Sequence, residues 1–255
     1  PHASLHRVDR VTAWVAHRVS DVWEYRVNAS FMRNILHDDN GPAGDPTTEY
    51  ASSLKETASA LDWQNTFRPA PFDTLVAGIQ LSAEKGDDYY ADVWGSVTSF
   101  SEKTDTRAVF AENTADIGGR LRHTAAVRFD DHSTFGNHAT WRTGAAWRLP
   151  GPLTVKGNYG TAFKAPTVYQ LYAPPMFGFP VGNAALEPEK SRGCDAGLSA
   201  EFAGSRVVLD SAWFRNDLRN LIDYVFGTGY VNVGKARTSG VESSLRYAPA
   251  PGVSL

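Results

Sequence analysis

A chain of 255 residues with 42% hydrophobic and 21% charged side chains, a mean hydropathy of −0.34 and no run of about 18 apolar residues excludes a helical membrane span. A formal charge of −3, with no basic block interleaved with aromatics, removes nucleic acid as a partner. One cysteine, Cys194, rules out an internal disulfide and any centre built from several thiols. A transmembrane β-barrel passes all three filters, because its lipid-facing and lumen-facing residues alternate and average to an ordinary hydropathy.

From the N-terminus, Pro1 to Val11 is charged throughout and lacks the apolar stretch and cleavage site of a secretory signal. Tight turns are expected near Val19-Ser20-Asp21, Arg68 to Phe72, Ile117-Gly118-Gly119, Leu149 to Pro152, Ala203-Gly204-Ser205 and Ala248 to Gly252, all built on Gly, Pro or Asp. Between them fall connections read as longer: His37 to Tyr50, Gly86 to Asp105, Asp131 to Asn137, Ala165 to Pro188 and a short one at Phe226 to Gly229. The intervening segments predict about eleven strands, and Val253-Ser254-Leu255 reads as the start of a twelfth. Both termini read as cuts through a longer chain.

Period-two alternation is plainest in the middle. Leu121, His123, Ala125, Val127 and Phe129 alternate with Arg120, Arg122, Thr124, Ala126, Arg128 and Asp130. Ala139, Trp141, Thr143, Ala145 and Trp147 alternate with His138, Thr140, Arg142 and Arg148, and Leu153, Val155, Tyr159 and Phe163 with Lys156, Asn158 and Lys164. A soluble β-sandwich explains alternation, but not long strands whose connections switch between short and long. An outer-membrane barrel explains both. Facing lipid at the midplane, each Arg or Lys costs about 2–4 kcal/mol, so Arg122, Arg128, Arg142, Lys156 and Glu242 are assigned to the lumen. Trp141, Trp147, Tyr159, Phe163, Trp213 and Tyr247 are expected on the apolar faces as interfacial girdles.

Three motifs invite chemistry. Asp130-Asp131-His132-Ser133 holds an acid, an imidazole and a hydroxyl, but neighbours in a strand end point in different directions and form no triad. Gly229 to Lys235 has phosphate-loop spacing, yet Ala236 stands where Ser or Thr is required and a strand continues where a helix is required. Asp38, Asp39 and Asp45, and Asp87, Asp88 and Asp92, lack the spacing of a calcium loop and read as solvated acidic loops. No catalytic residue, resident cofactor or metal ligand is assigned. The segment Ala165 to Pro188 differs in holding Tyr169, Tyr172, Met176, Phe177 and Phe179, an apolar set that either packs over the barrel mouth or touches a ligand.

Tyr159-Gly160-Thr161-Ala162-Phe163-Lys164-Ala165-Pro166-Thr167, Gln170-Leu171-Tyr172, Gly182-Asn183 and Leu186-Glu187-Pro188-Glu189-Lys190-Ser191 resemble the barrel signature of TonB-dependent receptors. Phe214 to Leu218, Leu221 to Tyr224, Tyr230 to Ala236 and Gly240-Val241-Glu242 continue the resemblance. Within the family, Arg128 to Gly136 with Thr140-Trp141 and Gly144 looks like the cobalamin-receptor branch. Cys194 and Asp195 depart from the family's usual aromatic and Glu.

The resemblance implies an all-β, antiparallel transmembrane barrel of about 22 strands closed by a plug. Residues 1–255 would be a partial barrel domain, from the sixth strand to the start of the seventeenth, without the plug or the C-terminal strands. It implies a non-enzymatic receptor in the bacterial outer membrane, driven by TonB through the plug. The cargo implied is cobalamin, with a ferric-siderophore receptor of the same family, or a passive pore or structural surface barrel, as alternatives. Tyr169, Tyr172, Phe177 and Phe179 are the expected ligand contacts. Calcium loops known in the cobalamin branch precede this window, and none is assigned here.

Overall fold

Strands with one apolar and one polar face satisfy their backbone groups by pairing with their neighbours, and the chain pairs nearly all of them in one sheet. The computed structural model describes residues 2–41, 49–176, 178–204 and 206–248. Its strands are β1 (His2–Arg18), β2 (Trp23–Asn40), β3 (Tyr50–Ala70), β4 (Asp73–Asp92), β5 (Val97–Ile117), β6 (Leu121–His132), β7 (Gly136–Arg148) and β8 (Leu153–Lys164). After a short helix α1 (Val168–Tyr172) come β9 (Glu189–Phe202), β10 (Val207–Arg219), a small hairpin β11 (Ile222–Val225) and β12 (Gly229–Asn232), and β13 (Lys235–Tyr247). Eleven of the strands form one antiparallel sheet in chain order, β1 through β10 followed by β13, while β11 and β12 pair only with each other. The turn expected after Ala248 and the strand expected from Val253 lie outside the described residues.

Short connections lie at one end of the sheet, at 19–22, 71–72, 118–120, 149–152 and between Phe202 and Val207, where the described residues 203 and 204 begin a turn. The opposite end departs from the sequence reading. Gly86 to Asp105 is not a loop: β4 runs to Asp92 and β5 starts at Val97, joined by a turn at 93–96. Asp131 to Asn137 likewise shrinks to 133–135, and the strands flanking His37 to Tyr50 reach in to Asn40 and Tyr50. The physical reason is common to these cases. Strand ends that rise above the apolar rows have no continuous apolar face to keep, so they lose their hydrophobic alternation and look like loops by composition. A second correction concerns the short connection read at Phe226 to Gly229, which is only the tip of the β11–β12 hairpin inside a connection spanning 220–234.

The strands differ in height as a result. β3, β4 and β5 have 21, 20 and 21 residues, against 12 to 14 for β6 through β10 and β13, so they rise above the strands that follow, level at their loop ends with β1 and β2. Register places Arg122, Arg128, Arg142, Lys156 and Glu242 on one face and Val127, Trp147, Val155, Leu198 and Trp213 on the other. A single curved layer has little interior. Among the described residues, five of the nine buried apolar side chains (Val168, Leu171, Ala173, Val181 and Leu186) belong to 165–188, so the nearest thing to a core is in that connection.

Candidate functional site: a loop cluster on the polar face of the tall strands

The site is built where the tall strands leave the sheet. Helix α1 is only five residues, and it is held by a reciprocal cap: Thr167 Oγ1 accepts from Gln170 N at 3.2 Å while Gln170 Oε1 accepts from Thr167 N at 2.9 Å. It packs on the polar face of the β4–β5 hairpin. A Cβ on Gly86 would come within 3.1 Å of both Phe100 and Val168, so a residue without a side chain there lets the helix seat.

The 165–188 and 220–234 connections are knitted into one body. Asn183 Nδ2 donates to Tyr230 O at 2.9 Å, and Tyr230 N donates to Val181 O at 2.8 Å. Asn232 makes three bonds: Oδ1 accepts from Glu187 N at 2.9 Å, and Nδ2 donates to Glu187 O at 2.9 Å and Asn220 O at 2.8 Å. Asn220 Nδ2 then donates to Glu187 Oε2 at 2.8 Å. Gly229 has φ +90°, and a Cβ there would come within 2.6 Å of Val181 O, so no other residue fits without strain. The motif residues Asn183, Glu187 and Asn232 are thus clamps between two loops.

Of the expected contact residues, Tyr169 is enclosed, its ring centroid 6.4 Å from Phe100 and 6.4 Å from Tyr230. Burial raises its phenol above the ordinary value, and nearby Asp88 adds to this. Asp88 lines the same cavity beneath α1, with Tyr90, Leu54 and Met176, and burial raises its carboxyl too. Tyr172 is half-buried, Phe177 lies outside the described residues, and Phe179 is exposed with its ring 5.0 Å from Phe226. Phe226 is 78% exposed and Trp94, at the β4–β5 tip, 73%. Sequence reasoning misses both. Phe226 reads as the start of a short connection, and Trp94 sits in a stretch that reads as an acidic loop.

Below the loops the polar face is crossed by lateral bonds. Arg128 donates to both Asp130 and Gln80, Arg142 pairs with Glu112, and Lys156 Nζ lies 3.0 Å from Asp210 Oδ1. The Asp130 to Ser133 run closes a turn: Ser133 Oγ accepts from Asp105 N at 3.0 Å and His132 Nδ1 accepts from Thr134 N at 3.1 Å. The acidic residues scatter. Asp87 pairs with Lys85, Asp92 Oδ1 accepts the turn amides of Trp94 and Ser96, Asp38 accepts from Tyr50, and Asp45 lies outside the described residues. Among the described residues no group of three potential metal ligands converges.

Comparison with known proteins fits this architecture. The chain is similar to the siderophore receptor PirA from Pseudomonas aeruginosa at 21% identity and TM-score 0.69, covering 98% of this chain and 53% of that one. It is similar to the ferric enterobactin receptor PfeA from Pseudomonas aeruginosa at 21% and 0.74, covering 98% and 42%. A third match is the copper transporter OprC, at 18% and 0.73, covering 96% and 44%. At these identities the likeness is one of fold, and the chain spans about half the length of these structures. The family described as "TonB dependent receptor-like, beta-barrel" matches residues 6–253. With an eleven-stranded antiparallel sheet polar on one face and apolar on the other, the chain belongs to the TonB-dependent receptor β-barrels of the bacterial outer membrane.

Proposed function

We propose that this chain forms part of the wall and outer vestibule of an active uptake receptor whose cargo is an anionic ferric chelate. The observation carrying this reading is the clamped loop cluster, which leans over the polar face of β3–β5 and presents Phe179 and Phe226 beside it. The same face of the sheet carries Arg122 on β6, with Arg142 on β7 and Lys156 on β8 already ion-paired to Glu112 and Asp210, and cations there suit a negative cargo descending along it. The plug and TonB supply gating and energy, and the polar face is the lumenal one.

Cobalamin, the cargo implied by resemblance, is the second reading, and it rests on Arg128 to Gly136. There Phe135 packs 5.1 Å from His132, Gly136 adopts φ +67° to start β7, and Arg128 pairs with Asp130, contacts that build the β6–β7 turn and touch none of the loop cluster residues. Siderophore receptors are also among the similar structures. Competition binding to the whole receptor discriminates: saturable ferric-siderophore binding that cobalamin does not displace is expected, and tight cobalamin binding overturns the assignment. A passive pore is separated by uptake that persists after collapse of the proton-motive force.

A further inference from the structure

On the apolar face of β9, β10 and β13, near the loop end, the residue pattern changes abruptly. Lower rows carry Phe202, Leu209 and Tyr247, then Leu198, then Trp213 beside Val241. From Val207 to Trp213 these rows climb about 20 Å along β10, at ~3.3 Å per residue. Immediately above Trp213 the same face turns cationic. Arg192, Asp217 and Arg237 stand side by side on one rung, and Lys190, Arg219 and Lys235 on the next. Arg215 stands below Asp217 on β10.

Six cations therefore face one carboxylate along a groove of about 850 Å³, with Trp141 and Phe163 on its far wall. Asp217 is already engaged: it accepts from Arg215 Nε at 2.8 Å and Arg237 Nε at 2.6 Å. Among the described residues no carboxylate comes within 4.0 Å of Lys190, Arg192, Arg219 or Lys235. Like charges directly opposite on neighbouring strands repel, so the Lys190–Arg219–Lys235 rung is unfavourable unless an anion lies over it. The groove forms because β8 leaves the β7 ladder above Gly160, where Phe163 stacks on His138 with centroids 4.2 Å apart.

We propose that this groove seats a phosphate-bearing lipid headgroup of the outer leaflet, its acyl chains lying along Trp213, Leu198 and Val241. The inference rests on the outer-membrane setting, not on the cargo. Arginine forks match phosphate oxygens in pairs, and the cations begin where the apolar rows stop, at headgroup level. A soluble phosphate would have no use for the apolar rows beneath.

The test is native mass spectrometry of the detergent-purified whole receptor, titrated with diphosphoryl lipid A and with its dephosphorylated counterpart. The wild type is expected to retain the diphosphoryl form at least tenfold better. The K190Q/R192Q/R219Q/K235Q variant should lose that preference while keeping heat-modifiable migration and cargo binding. Equal retention by the variant, no preference for phosphate in the wild type, or displacement by equimolar inorganic phosphate overturns the proposal. If the quadruple variant fails to assemble, Arg219→Gln alone should still weaken retention about threefold, and no change there overturns it as well. Cargo binding measured in parallel shows whether the uptake reading stands independently.

Discussion

Lys156 on β8 reaches over Gly197 of β9 to bring its ammonium 3.0 Å from the carboxylate of Asp210 on β10. A Cβ on Gly197 would meet Lys156 Cε at 3.2 Å, Ala212 Cβ at 3.1 Å and Ser211 O at 2.9 Å. The ion pair is half-exposed, so it contributes under about 1 kcal/mol, and the close fit over Gly197 is the larger constraint. Gly197→Val is therefore expected to cost about 1–3 kcal/mol as overpacking, and Lys156→Gln under about 1 kcal/mol. Urea midpoints of the folded band on unheated gels measure both. Equal losses would show that Gly197 does not govern the crossing.

The two faces make a second prediction. Arg122, Arg142 and Lys156 share one face, with Ala146 lying between Arg122 and Lys156 on its rung, while Trp147 and Val155 are paired on the other. Spin labels at Val127, Trp147 and Val155 in reconstituted receptor should relax with membrane-dissolved oxygen. Labels at Arg122, Arg142 and Lys156 should respond to an aqueous nickel chelate. The reverse pattern would turn the sheet inside out.

Legibility in the sequence follows the solvent. Where β6 to β8 face lipid on one side and water on the other, Val127, Trp147 and Lys156 show the period of two, and the strands are plain from sequence. Where β4 and β5 rise past the lipid, Gly86, Asp87 and Asp88 break the period of two, and their apolar partners, Leu54, Phe100 and Val168, come from other segments of the chain, so strand reads as loop. The loop cluster is only half visible. The aromatics of 165–188 signal an apolar body, but its contacts come from Phe100 and Tyr230, far away in sequence. Asn183 and Asn232 carry a family likeness in sequence, and only the three-dimensional structure shows them bonding the loops together.

Asn232→Ala removes three hydrogen bonds to the Glu187 and Asn220 backbone at once. At about 1 kcal/mol each, the clamp between the two loops should loosen by about 2–3 kcal/mol. Hydrogen exchange at residues 183–189 and 220–233 is expected to accelerate by about thirtyfold or more, since 1.4 kcal/mol is a factor of ten. Exchange in β6 and β7 should stay unchanged. Uniform acceleration across the sheet would mean that Asn232 supports the barrel and not the clamp.

The last prediction concerns pH. Asp88 lies on the polar face of β4, in the cavity closed by Tyr169, Pro174 and Met176, and burial raises its carboxyl pKa when α1 is docked. A carboxyl raised in the docked state favours docking when protonated. The contribution is fully present below the free-aspartate value of about 4 and is lost as pH rises through the raised value. Helix α1 should therefore hold most tightly below the free-aspartate value and loosen as the pH rises through the raised one, the reverse of a loop held by an ion pair. Tyr169 shifts in the same sense, but only at alkaline pH, where its phenol ionises. Asp88→Asn keeps the shape and removes the charge, so it should give tight docking at every pH between about 4 and 8. Tyr169→Ala should loosen α1 throughout, by removing the ring between Phe100 and Tyr230. Distances between spin labels on α1 and on the β4–β5 tip, followed from acid to neutral pH, read this directly. A wild-type distance that does not change with pH, or an Asp88→Asn variant that loosens like the wild type, would show that Asp88 does not control the loop.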